Sequence, residues 1–205
     1  MLWLPVVHGQ QLLDRVLARV DGAPITLTDV QAAIGLGIIQ VGSGDAIAEG
    51  TQQMLDRQLE LTEVQRFPPP EPPPDAVARE GARLKMNAGP RLPMLMQSTG
   101  LTEQRVSEMA RENLRIAAYL DQRFGTTVQV SDEEVAAYYR THEAEFTKSS
   151  GTVPYEEAEP IARQRASTER RRAIINQWIR DLRSRADVTV NAPIDRGQGA
   201  GGRPQ

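Results

Sequence analysis

The spacing of apolar and polar positions changes period twice along this chain, and each change marks a different kind of element. From Asp14 to Val20 the two classes alternate, with Val16, Ala18 and Val20 set against Arg15, Leu17 and Arg19. Asp21-Gly22 is a hairpin-type turn, and Pro24 to Leu27 can return as a second short strand. The period then lengthens. Thr28 with Gln31 three residues on has the form of a capping box and predicts a helix from Asp29 through Val30, Ala33, Ile34 and Ile38. Gly35 and Gly37 weaken that helix, and it should close near Gly42 to Gly44. From Asp45 to about Phe67, Ile47, Met54, Leu55, Leu59, Leu61 and Val64 favour one side against Asp56, Arg57, Glu60 and Glu63, the pattern of a long amphipathic helix.

Six prolines around Glu71, Pro68 to Pro74, forbid both helix and ladder and predict an extended surface spacer. A docking ligand for a proline-reading domain is the alternative. Helical spacing resumes from Asp75 to Asn87 and again from Gly100 to Phe124. Between them Leu92, Met94, Leu95 and Met96, with Met86 before them, form a run of flexible apolar side chains. Such methionines serve either as adaptable binding surface or as filler in an irregular core. Ser131 and Glu134 complete a capping box, with Val130 and Val135 at the positions of a hydrophobic staple. The helix it opens carries Val135, Tyr138, Tyr139, His142 and Phe146. After a polar linker at Lys148 to Pro154, Tyr155 to about Ala186 is the longest helical stretch, which Pro160 either kinks or opens. Its apolar stripe is Ile174, Ile175, Trp178, Ile179, Leu182 and Ala186. Eight arginines, at 163, 165, 170, 171, 172, 180, 183 and 185, dominate the remainder. At Val188-Thr189-Val190 the period returns to two, consistent with a third strand on the N-terminal hairpin. The tail, 191–205, has a disordered composition.

Composition narrows the chemistry. Aromatics are only 4% of 205 residues, so the core must be aliphatic, which favours helices. With no cysteine there is no disulfide, thiolate metal site or thiol nucleophile. His8 and His142 are the two histidines, and neither belongs to a catalytic or metal-binding motif; His142 reads as a packed or half-exposed helix residue, with a pH switch as the alternative. The carboxylate pairs Glu133-Glu134 and Glu156-Glu157 fall in first helical turns, where they complement the dipole. No nucleotide-binding loop occurs, so no cofactor, metal or ATP site is expected. A net charge of -3 weighs against nucleic acid, despite the arginine face. No segment is long and apolar enough to span a bilayer. Residues 1–9 resemble the end of a secretory signal, with Val7 and Gly9 at small-residue positions though without a positively charged start. That reading implies export and a mature chain from Gln10; a frayed apolar N-terminus is the alternative.

The order of these elements resembles that of a known family. Asp14 to Asp29 ("DRVLARVDGAPITLTD") is similar to the opening of the SurA-type periplasmic chaperones and their parvulin-type relatives, in which a hairpin enters the first helix. Gln52 to Phe67 ("QQMLDRQLELTEVQRF") looks like their second helix and Gly100 to Phe124 like the following long one. Val128 to Phe146 ("VQVSDEEVAAYYRTHEAEF") is similar to the segment preceding their isomerase domain, and Pro154 to Val190 to the helix and strand that follow it. In relatives with a parvulin domain that domain lies between the last two segments. Here only Thr147 to Pro154 intervene, too few residues to form one.

The resemblance implies a mainly α-helical, discontinuous chaperone core of five to six helices, spanning 10–190: helices in 28–146 and 155–186, with the hairpin joined by the C-terminal strand. It further implies a periplasmic, ATP-independent holdase for unfolded or outer-membrane polypeptides, and no catalytic residues. Prolyl isomerisation and an envelope scaffold with one dedicated partner are the alternatives, and helix exchange could make a homodimer. Met86, Leu92, Met94, Leu95 and Met96 are the candidate client-binding residues. Ser131, Glu134, Tyr138, Tyr139 and Trp178 are candidates for structural roles.

Overall fold

The computed structural model describes residues 14–125, 129–148 and 151–191, and the expected signal segment and all but the first residue of the expected tail lie outside them. Five strands, seven α-helices and two 3-10 turns form among the described residues: β1 Val16–Val20, β2 Ala23–Thr26, α1 Leu27–Gly35, α2 Ala46–Arg66, α3 Pro74–Ala88, α4 Leu92–Thr99, α5 Glu103–Phe124, α6 Asp132–Thr141, β3 Thr147–Lys148, β4 Gly151–Thr152, α7 Tyr155–Arg183 and β5 Val188–Val190. The mainly helical class with a small N-terminal sheet is therefore correct. The described residues divide into two compact units, one of 14–55, 84–102 and 187–191, the other of 56–83, 103–125, 129–148 and 151–186.

In the first unit β1 is the central strand, antiparallel to β2 on one side and to β5 on the other. Asp21 and Gly22 both adopt positive φ, 48° and 84°, the left-handed geometry that a tight two-residue hairpin needs. The pairing slips between Val16 and Ala18, so strict alternation fails there: Leu17, set on the polar side by spacing, is buried beside Ala18. β5 is tied at both ends, Asp21 N to Asp187 O at 2.9 Å and Asn191 N to Leu17 O at 2.8 Å.

The first helix starts earlier than its expected cap. Thr26, not Thr28, is the N-cap: its hydroxyl accepts from Asp29 N at 3.2 Å while Thr26 N donates to Asp29 Oδ2 at 3.0 Å. The hydroxyl of Thr28 instead donates to Asp14. The helix also ends earlier, at Gly35, because Gly37 takes a φ of 66° and Asn87 Nδ2 captures the Leu36 carbonyl at 3.0 Å. Val30, Ala33, Leu36 and Leu55 are buried in this unit. Close approach is built into its glycines: a Cβ on Gly50 would lie 2.8 Å from Val30 Cγ1, and one on Gly35 2.6 Å from Leu95 Cδ2.

In the second unit Leu59, Val64, Val106, Met109 and Ile116 from α2 and α5 are buried, with Trp178 and Leu182 of α7. Val135, Phe146, Ala158 and Ala162 form a further cluster, flanked by Tyr138, Tyr139 and Tyr155. α6 stops at Thr141 rather than continuing to Phe146, which lies in a 3-10 turn, and the expected polar linker contains the minimal hairpin β3-β4. α7 runs through Pro160. The proline spacer is strapped down, with Pro69 buried and Glu71 Oε1 accepting from Arg111 of α5 at 2.6 Å.

Candidate functional site

The methionine-rich run that spacing singled out forms the end of α3 and the short helix α4. Met86 and Met94 are 79% and 74% exposed, far more than a core filler, whereas Leu92, Leu95 and Met96 are half-buried. Leu95 is committed to packing against the bare backbone of Gly35 in α1. The run therefore splits by role within the first unit: Leu95 anchors α4, and the two methionines present flexible thioethers to solvent.

In the second unit the arginines of α7 turn out to be internal partners of acids on neighbouring helices. Arg163 Nη2 donates to Asp132 Oδ1 at 2.6 Å, Arg165 Nη1 to Glu145 Oε2 at 2.6 Å, and Arg170 to Glu134 of α6. Arg171 meets Asp121 of α5 at 3.3 Å, and Arg183 Nε donates to Asp56 Oδ1 of α2 at 2.5 Å. Each such pair is worth little at the surface, and their number serves mainly to fix how the helices dock. Charge already matched in this way leaves little for a phosphate backbone. Arg180 bonds Gln177 and Arg185 bonds the Asp181 carbonyl. Of the eight, Arg172 alone makes no hydrogen bond or ion pair among the described residues.

Ser131 caps α6, accepting from Glu134 N at 3.2 Å while its own N–H donates to Glu134 Oε2 at 2.8 Å. Tyr139 donates its hydroxyl to Val153 O at 2.5 Å and stacks obliquely on Phe146. Trp178 lies against Tyr119 and Phe124, with ring centroids 5.8 and 5.5 Å away. What apolar periodicity overlooks is Ala158, Ala162 and Ala166. Spaced four apart, all three are buried in the first half of α7, and the first two join the Val135 and Phe146 cluster beneath α6. The predicted isoleucines of α7 are only half-buried.

Between α6 and α7 runs an open cleft of about 970 Å³. Tyr138 stacks on His142 at 4.0 Å along one wall, and its hydroxyl donates to Glu145 Oε2 at 3.2 Å. Burial, then that carboxylate, holds the phenol above its ordinary pKa. Ile161, half-exposed at 50%, and Arg172 belong to the other wall. Arg172 also borders a smaller hollow of about 530 Å³ with Leu120 and Ile175. Elsewhere in this unit Glu60 of α2 stands out. Burial lifts its carboxyl from 4.5 to about 7, against the pull of Arg57.

Among the described residues no group of three or more histidines and carboxylates could hold a metal, and no helix is long and apolar enough to cross a membrane. The architecture, helices with a strand from the end of the chain completing a sheet begun at its start, is similar to that of the SurA-like chaperones. A solved structure from the work on PEB4 and the periplasmic protein Cj1289, two such chaperones of Campylobacter jejuni, aligns with a TM-score of 0.54 at 9% identity. It covers 87% of this chain and 100% of that one. The likeness is one of fold. No family model and no curated protein matches the sequence.

Proposed function

We propose that this chain is an ATP-independent chaperone of the SurA type, holding unfolded polypeptides, outer-membrane clients among them, in the cell envelope. The fold shared with a SurA-like chaperone over 87% of the chain carries this reading. The exposed Met86 and Met94 support it, because flexible apolar side chains accept varied sequences at little cost in specificity. The short connection from Phe146 to Tyr155 supports a protein that binds without isomerising prolines. Location in the envelope rests on the apolar start of the sequence and on the periplasmic character of Cj1289.

Light scattering during dilution of a urea-unfolded outer-membrane β-barrel tests the central claim. The protein should suppress aggregation without nucleotide. No protection at about tenfold molar excess would overturn the reading. A proline-peptide isomerisation assay should stay at the background rate, and the mature protein should begin at Gln10.

A further inference from the structure

The α7 face poses a specific question, because one arginine departs from the rule the others follow. Of the eight arginines in and just beyond α7, seven are engaged within the protein, and Arg172, exposed, is not. It opens into the same cleft as Gln164 and Asn176, whose side-chain amides also make no hydrogen bond among the described residues. Of the two acids of the cleft, Glu145 is taken by Arg165 and Tyr138, while Glu169 lies 3.9 Å from His142 and makes no ion pair with Arg172. The cleft thus offers one guanidinium without a hydrogen-bond or ion-pair partner among the described residues, two amides able to pair with peptide groups, and an apolar end at Ile161 beside Tyr138.

These groups are laid out along a line. Ile161 and Arg172 stand eleven positions apart on one helix, about 16 Å at a rise of ~1.5 Å per residue. An extended polypeptide advances ~3.3 Å per residue, so about five residues cover that distance. Side-chain amides are suited to the backbone of such a segment because each offers a donor and an acceptor, whatever the sequence. The guanidinium selects a carboxylate.

We propose that the α6–α7 cleft binds an extended client segment, an apolar residue resting on Ile161 and Tyr138 and an acidic side chain about five residues away pairing with Arg172. The proposal rests on the polypeptide-holding reading and gives it a place and a preference. It adds a site that the methionine surface does not supply: there the chemistry is apolar and unselective, here it reads charge at a fixed distance from an apolar anchor.

Fluorescence anisotropy of the full chain tests it, with a labelled, C-terminally amidated nonapeptide carrying two leucines near one end and a single glutamate five residues on. A second peptide has glutamine in place of the glutamate. The glutamate peptide should bind about five- to tenfold more tightly, and Arg172→Ala should abolish that difference while leaving the glutamine peptide unchanged. Arg172→Glu should reverse the preference toward a lysine peptide, a gain that misfolding cannot produce. Ile161→Ser should weaken both original peptides, which separates this cleft from the hollow near Leu120. Equal binding of the two peptides by the unaltered protein, or preference for the glutamate peptide unaffected by Arg172→Ala, overturns the proposal. So does Arg172-dependent binding that appears only when the peptide end is a free carboxylate. If the unaltered protein suppresses aggregation and these peptide results fail, the site is wrong and the chaperone reading stands; if it does not suppress aggregation, both fall.

Discussion

Replacing Glu60 by glutamine should stabilise the second unit at neutral and alkaline pH and leave it nearly unchanged in acid. Its neighbours are already spoken for. Arg57 Nη2 donates to Glu112 at 3.1 Å, Arg105 holds the other oxygen of the same carboxylate at 2.9 Å, and Asp56 is paired with Arg183. Glu60 is left largely buried, with the attraction of Arg57 too weak to offset that burial and Asp56 adding like charge, so its proton is held up to about pH 7 instead of 4.5. The folded chain therefore binds this proton more tightly than the unfolded chain. The stability it brings is complete below the unfolded value and is lost as pH rises through the folded one. At ~1.4 kcal/mol for each pH unit between the two, the loss is bounded by about 3.5 kcal/mol; the access of water that remains to a group not fully buried brings the expectation to about 1–3 kcal/mol. Urea unfolding followed by Trp178 fluorescence, in a Trp3→Phe background so that one tryptophan reports, measures this unit. Between pH 4.5 and 8 the stability of Glu60→Gln relative to Glu60 should climb from near zero to a plateau. A difference constant across that range would refute the reasoning, because a purely steric effect of the amide has no pH dependence.

Trp178→Ala should cost about 3–5 kcal/mol in unfolding followed by circular dichroism, since it empties the space between Tyr119 and Phe124; a loss under about 1 kcal/mol would contradict that packing. Two glycine replacements should move in opposite directions. Gly50→Ala forces a methyl to within 2.8 Å of Val30 and should destabilise by about 1–3 kcal/mol despite the better helix propensity. Gly81→Ala meets nothing closer than Ala110 at 4.0 Å and should stabilise by about 0.5–1 kcal/mol. Met86→Ser with Met94→Ser should leave the melting temperature within about 2 °C, as surface changes do, yet raise the amount of protein needed to suppress client aggregation about twofold or more.

Long elements with strong amphipathic spacing could be read from the chain alone. α2, α5 and α7 fall within a few residues of their expected bounds, the Ser131 capping box is in place, and Val188–Val190 joins the hairpin. What could not be read depends on partners distant in sequence. Thr26 outcompetes Thr28 as a cap because Asp14 draws the Thr28 hydroxyl away, and α1 stops early because Gly37 turns left-handed and Asn87 takes the Leu36 carbonyl. The alanines of α7 carry too little hydrophobicity to show as a stripe, although smallness is what lets α6 approach. For the candidate surfaces, composition pointed to methionine and arginine. It could not separate Leu95 from Met94, or Arg172 from its seven paired neighbours, because that separation is made by cross-helix contacts.

The tie between Asp21 and Asp187, 166 residues apart, sets an order on synthesis. β1 leaves the ribosome early with only β2 for company, and one of its edges stays open until nearly all of the described chain has emerged. Every residue of the second unit is made within that interval and can pack first. A released chain truncated before Val188 should therefore have a first unit with an unpaired strand edge, able to recruit a foreign strand, and a second unit that is already protease-resistant. Loss of that last strand would then decide whether a protein read as a guardian of unfolded chains needs one itself.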